Sequence, residues 1–96
     1  MKVVFDDRAV SDLEDIYRFI VAHNPLNAAD VTGRILASIE RLADFPDMAR
    51  EGVVAGTREW VIPGLPYIAV YRISRQTKEI VVIGIFHGAR NRSSDK

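Results

Sequence analysis

The chain has no cysteine. That excludes a disulfide framework, thiolate chemistry and a cysteine-based zinc site, and it fits a reducing compartment. No apolar run approaches the ~20 residues that a membrane helix needs. Asp6 and Asp7 fall where a signal peptide would place its apolar segment. The expected setting is the cytoplasm, with no membrane. Histidines are scarce: His23 and His87 lie far apart, and no spacing of His, Asp and Glu resembles a metal site. No metal or cofactor is expected. Net charge is absent too, since 13 Lys and Arg balance 13 Asp and Glu. Domains that live on nucleic acid are usually plainly basic, so this balance argues against one. No repeat, low-complexity stretch or linker divides the 96 residues, which read as a single domain over 1–96.

What is present is ordinary in amount and uneven in placement. Hydrophobic residues make up 48% of the chain, too many for a disordered one. A chain this short buries only about 60–65% of the surface its unfolded form exposes. Its core is small, and a partner could add much to stability. Residues 1–57 carry six Lys and Arg against ten Asp and Glu, whereas residues 58–96 carry seven against three. The basic half permits a local anionic contact, and ordinary surface scatter explains the split equally well.

Lys2–Phe5 is β-prone and ends at two acids. Asp7 reads as the N-cap of a helix running from Arg8 to about Ala22. Ser11 and Glu14 could form a capping box with a later start, but the apolar spacing already begins at Ala9. Ala9, Leu13, Ile16, Tyr17 and Ile20 make one stripe. Asn24-Pro25 stops this helix and starts a second, expected to about Asp44, with Ala28, Val31, Ile35, Ile39 and Leu42 as its stripe. The tight connection makes an antiparallel αα-hairpin. Gly33 inside the second helix costs roughly 1 kcal/mol against alanine, which suggests close approach to another backbone. After Phe45-Pro46-Asp47 and a loop over Met48–Gly56, three strands are predicted: Arg58–Ile62, Tyr67–Ile73 and Glu79–His87. Pro63–Pro66 turns between the first two, making Thr57–Tyr71 the central hairpin. Residues 88–96 read as a polar, basic tail that frays at its end. The order β-α-α-β-β-β is an α+β fold, an antiparallel sheet with the αα-hairpin on one face. The edge that the first strand joins stays open.

A half-exposed strand should alternate apolar and polar residues. The last two strands are apolar on both sides. Strict alternation groups Val61, Ile68, Val70, Val81, Ile83 and Ile85 on one face, expected to pack on the helices. Trp60, Ile62, Tyr67, Tyr71 and Phe86 remain for the other. Aromatic side chains bury roughly 150–250 Å² each, so a bare set would exceed what a monomer tolerates. Either a partner chain covers this face, which is the expectation, or the tail and the Met48–Gly56 loop fold over it.

The chain resembles the RelE/ParE superfamily of toxins from type II toxin–antitoxin systems, and within it the ParE branch. The matching features run over nearly its whole length. They are the Ala9–Ile20 stripe, Asn24-Pro25 with Ala28-Ala29, Phe45-Pro46, Gly56-Thr57-Arg58-Glu59, Pro66-Tyr67 with Tyr71-Arg72, and Phe86-His87-Gly88 with Arg90. None is specific alone; their order and spacing are. The resemblance implies a toxin neutralised by a small ParD-like antitoxin, with a ribbon-helix-helix DNA-binding part and a segment that wraps the toxin. Operator DNA would then be bound only through the antitoxin.

The superfamily has two main activities, messenger RNA cleavage on the ribosome and inhibition of DNA gyrase. Metal-free RNA cleavage needs a base, an acid and cations for the developing phosphorane charge. Glu59, Val61 and Ile68 stand where RelE-like enzymes resemble one another in carrying two lysines and an arginine. The tail after His87 has no tyrosine. His87 could still act as a base with Arg90 as phosphate clamp, but a histidine that merely ends a strand is the favoured reading. His23, at a helix C-terminus, suits the dipole and is assigned no chemistry. The resemblance therefore implies a gyrase inhibitor that is not an enzyme and has no catalytic residues. A ribosome-dependent messenger RNase and a toxin fold that has lost toxicity are the alternatives. Residues expected to meet antitoxin or gyrase are Arg58, Trp60, Ile62, Tyr67, Tyr71, Phe86, His87, Arg90 and Arg92. Arg58 with Trp60 is a hot-spot composition; the competing reading has Trp60 covered by its own chain and Arg58 paired to a local acid.

Overall fold

The computed structural model describes residues 1–88. The N-terminal strand β1 (Lys2–Phe5) leads through Asp6, an extended N-cap, into helix α1 (Asp7–His23). The helix thus begins one residue earlier than its acids suggested. It ends where Asn24 leaves helical geometry, and the Asn24 N–H closes the last turn on the Ile20 carbonyl at 2.6 Å. Pro25 then opens a single 3₁₀ turn, Pro25–Asn27, before helix α2 (Ala28–Glu40). The second helix is shorter than its apolar stripe implied, because a further 3₁₀ turn, Arg41–Ala43, takes over its last part. Leu42 in that turn is nonetheless fully buried. Gly33 sits in open space, with nothing near a Cβ placed there. The close backbone approach suggested for it does not occur.

Four further strands follow: β2 (Arg50–Glu51), β3 (Arg58–Val61), β4 (Tyr67–Ser74) and β5 (Glu79–His87). The two-residue β2 lies within the stretch expected to be loop, and it pairs antiparallel with β3. The sheet order is β1-β5-β4-β3-β2. The first strand joins the far edge and runs parallel to β5, from Lys2 beside Glu79 to Phe5 beside Val82. The sheet is therefore mixed, with an antiparallel β3-β4-β5 meander at its centre. Strand β4 is the middle strand, so the β3–β4 hairpin sits to one side of the sheet's axis.

The structure inverts the expected faces. Ile62, Tyr67, Ala69, Tyr71, Ile80, Val82 and Ile85 form the buried core with Ala9, Ile35, Ile39 and Leu42, and Trp60 packs against it. Four of the five residues predicted for a bare face, Trp60, Ile62, Tyr67 and Tyr71, thus lie in or against this core, and Phe86 does not. Small helix residues face this layer: Ala9 is fully buried in the core, and the buried Ser38 meets the Trp60 indole. The exception is explained by a β-bulge. Val70 pairs with Gly84 but Tyr71 pairs with Val82, which leaves Ile83 as an extra residue. An extra residue shifts the alternation by one. Ile85 therefore joins the helix side, opposite Ala69, and Phe86 falls opposite Ile68 instead of with Tyr67. The other face is not bare in its middle, since Ile68, Val70 and Val81 are each less than a tenth exposed.

Candidate functional site

Most of the residues singled out in the hairpin turn out to hold the fold together. The Arg58 guanidinium donates to the Ala49 carbonyl at 2.7 Å and pairs with Asp47 at 3.4 Å. Asp47 also takes Arg75 at 3.2 Å. Tyr71, fully buried, donates its hydroxyl to the Pro46 carbonyl at 2.7 Å. Together these contacts fasten the segment after α2 onto the sheet. The Trp60 indole N–H donates to the Ser38 hydroxyl on α2 at 2.8 Å. Of the two readings offered for Arg58 and Trp60, the structure has the local acid and the covering helix. Ile62 is buried in the same layer. None of these four presents the exposed contact surface that alternation had suggested.

Three of the predicted residues do meet at an open site. Tyr67, Phe86 and His87 line a cleft of about 700 Å³ between α1 and the end of β5, with Asp12, Asp15, Ile16, Phe19 and Ile85. The bulge and the pairing of Tyr67 with His87 bring them there. The His87 ring meets the Tyr67 ring edge-on at 5.5 Å, and the Arg8 guanidinium lies over the Phe86 ring at 5.1 Å. Asp12 accepts the Ile85 N–H at 2.9 Å and pairs with Arg8 at 3.3 Å. Asp15 pairs with Arg18 at 2.7 Å. The cleft is apolar with an acidic wall, a lining suited to a peptide segment. Arg90 and Arg92 lie outside the described residues.

The hairpin position that was read for its missing lysine holds a structural acid. Glu59 is 4% exposed, accepts from Arg50 at 3.2 Å and takes the Val53 N–H at 3.0 Å. Burial of a carboxylate is tolerated when it is paired and hydrogen-bonded. Val61, half exposed, and Ile68, buried, add no charge. No group of three His, Cys, Asp or Glu among the described residues could hold a metal ion. No helix among them is long and apolar enough to cross a membrane.

The exposed apolar surface lies elsewhere. Tyr17, placed on the buried stripe of α1, is 44% exposed. With Leu13, Thr32 and Leu36 it lines a groove of about 320 Å³ between the outer faces of α1 and α2. Phe19, stacked on His23 at 4.2 Å, and Leu26 stand out at the hairpin tip. Val53 and Val54 project from the loop between β2 and β3. For Phe19, Leu26 and Leu36 the signal was present as apolar residues off the helical stripes, and for Val53 and Val54 as a Val-Val pair between two glycines.

Comparison with known proteins places this geometry. Residues 3–92 match the model of the family described as the ParE toxin of the type II toxin–antitoxin system parDE. A protein of Sinorhizobium fredii, Y4kP, whose name marks it as a proposed toxin, is 38% identical over 76 residues, 79% of either chain. The fold is similar to that in the chromosomal ParDE system of P. aeruginosa, with a TM-score of 0.81 at 24% identity, covering 91% of this chain and 95% of that one. It is also similar to the isolated RelE toxin of E. coli, with a TM-score of 0.69 at 12% identity, covering 98% of this chain and 90% of that one.

Proposed function

The chain belongs to the ParE family of toxins of type II toxin–antitoxin systems, and on that premise we propose that it inhibits DNA gyrase and is neutralised by a cognate ParD-like antitoxin. The family match over residues 3–92 carries this reading. The chemistry of the hairpin supports it. A messenger RNase of the RelE type would need cations near the scissile phosphate. Here Glu59 is buried and engaged with Arg50 and the Val53 N–H, and its neighbours on that face are aliphatic. The chain acts by binding and is not itself an enzyme. The antitoxin, of ribbon-helix-helix type, supplies the operator contacts, and its toxin-binding segment occupies the apolar cleft and groove on α1.

The test is a supercoiling assay with purified gyrase. Added toxin should inhibit supercoiling or trap gyrase-dependent cleavage of plasmid DNA, and prior mixing with antitoxin should restore activity. Unchanged supercoiling with no trapped cleavage at saturating toxin would remove the gyrase target. Cleavage of translated messages in its place would establish the RNase alternative.

A further inference from the structure

The sheet has two open edges, and they are built differently. Strand β2 forms one with only Arg50 and Glu51, too short and too charged to take another strand readily. Strand β1 forms the other with Lys2–Phe5, apolar after its first residue. The Lys2 and Asp6 N–H groups point inward, donating to the Lys78 and Val82 carbonyls at 3.0 and 2.9 Å. Bonding groups alternate in direction along a strand, so Val3 and Phe5 turn theirs outward. Among the described residues nothing takes those outward N–H and C=O groups. The Val3 and Phe5 side chains pack against the core, which fixes the edge in place. Unpaired backbone groups on a rigid strand are a template for another strand, and the rigidity lowers the entropy lost on pairing.

The strand that this edge fits is its own copy. When two copies run antiparallel about a twofold axis at Val4, Val3 of each lies opposite Phe5 of the other. Directly opposed residues can exchange both of their hydrogen bonds, so this register uses every outward group of both strands. It also sets Lys2 opposite Asp6 at each end. Lys2, Val4 and Asp6 alternate with Val3 and Phe5 and so share the other face. Lys2 and Asp6 are both exposed, and neither is paired among the described residues. Opposite charges directly across a strand pair favour it, and like charges oppose it. A shift of one residue would break the match of hydrogen bonds and part Lys2 from Asp6. A parallel copy in register would set Lys2 beside Lys2. We propose that two copies of the isolated chain pair through β1, joining their five-stranded sheets into one continuous sheet. The contact is isologous, and both helical hairpins lie on the same side of the joined sheet. Few side chains meet across it, so the association is weak, with a Kd on the order of 0.1 mM. It involves neither the target nor the antitoxin.

The chain has no cysteine, so V4C carries a single thiol at the proposed axis. Opposed residues that share no hydrogen bond lie about 4.5 Å apart at Cα, within reach of a disulfide. Full-length V4C under mild oxidation should form a covalent dimer about tenfold faster than K2C, whose two thiols lie too far apart across the axis. Sedimentation equilibrium of wild type up to about 1 mM should show monomer and dimer in exchange. K2E and D6K should each raise the Kd about tenfold by setting like charges opposite. Mixing the two should restore it, because each introduced charge then meets its opposite. Asp6 caps α1, so D6K can lower the melting temperature; K2E and V4C leave the helix untouched. A wild-type chain that stays monomeric to that concentration would overturn the proposal. So would V4C cross-linking no faster than K2C, or a dimer that K2E leaves unchanged. Protection of the Val3 and Phe5 amides from hydrogen exchange that appears only with added antitoxin would give the edge to the antitoxin and overturn it as well.

Discussion

Tyr71 shows how much one side chain can hold in place. Its ring fills the centre of the core and its hydroxyl ties down Pro46. Burial pushes the phenol above its ordinary value near 10.0, with the Arg58 charge pulling the other way. Tyr71→Phe should lose the bond and leave the Pro46 carbonyl unpaired, at a cost of about 1–2 kcal/mol in urea unfolding at neutral pH. A raised folded-state value means that the neutral form is favoured by folding. That contribution is complete below the unfolded value and is lost as pH rises through the folded one. The stability gap between wild type and Tyr71→Phe should therefore narrow above about pH 10. A constant gap across that range would show that the hydroxyl is not desolvated as described. The importance of Tyr71 was legible in the sequence, but its direction was not. A tyrosine in a strand reads equally well as core or interface until the opposing helix is known to offer alanine and serine.

The helices and the strand order along the chain were readable because their signals are local: Asn24-Pro25 breaks one helix and starts another, and Pro63–Pro66 turns a hairpin. What escaped depends on pairing across the sheet. The extra residue Ile83 is an unremarkable isoleucine in an apolar run, yet it reverses which side Ile85 and Phe86 take. The short β2 consists of an arginine and a glutamate, which carry no strand pattern, and it exists because they pair with Glu59 and Arg58. The cleft was only partly visible, through Phe86 and His87. Its acidic wall comes from α1, where Asp12 looked like a solvated helix residue. In fact Asp12 continues the job of β1. Strand pairing on that edge stops at Phe5 and Val82, and the carboxylate takes the Ile85 N–H beyond it. Asp12→Ala should cost roughly 1–3 kcal/mol and speed hydrogen exchange at the Ile85 amide, while Asp12→Asn should retain most of the protection. Unchanged exchange in the alanine variant would mean that the strand end is held by other contacts.

At the scale of the molecule, a core of this size yields modest stability on its own, and a partner that binds only the folded state adds to it by mass action. Antitoxin at a thousand times its Kd should add about 4 kcal/mol, visible as a melting temperature that climbs with antitoxin concentration. A melting temperature indifferent to antitoxin would argue that the two do not associate in the folded state. The aromatic layer under the helices also means that the toxin does not need that partner to cover a bare sheet, so the isolated chain should give a cooperative melt of its own.

The parallel pairing of β1 with β5 bears on when the molecule can come into being. Lys2 lies beside Glu79 and Phe5 beside Val82, so β1 must wait for a strand that follows it only after both helices and three other strands. Protein synthesis proceeds at about 5–20 residues per second, and through almost all of that interval β1 has no strand to join. The helical hairpin can form early, but the sheet on which it packs closes only once β5 has emerged. A chain still leaving the ribosome carries neither the finished β5 cleft nor a completed sheet behind the valine loop. The surfaces that depend on β5 are thus the last part of residues 1–88 to take shape.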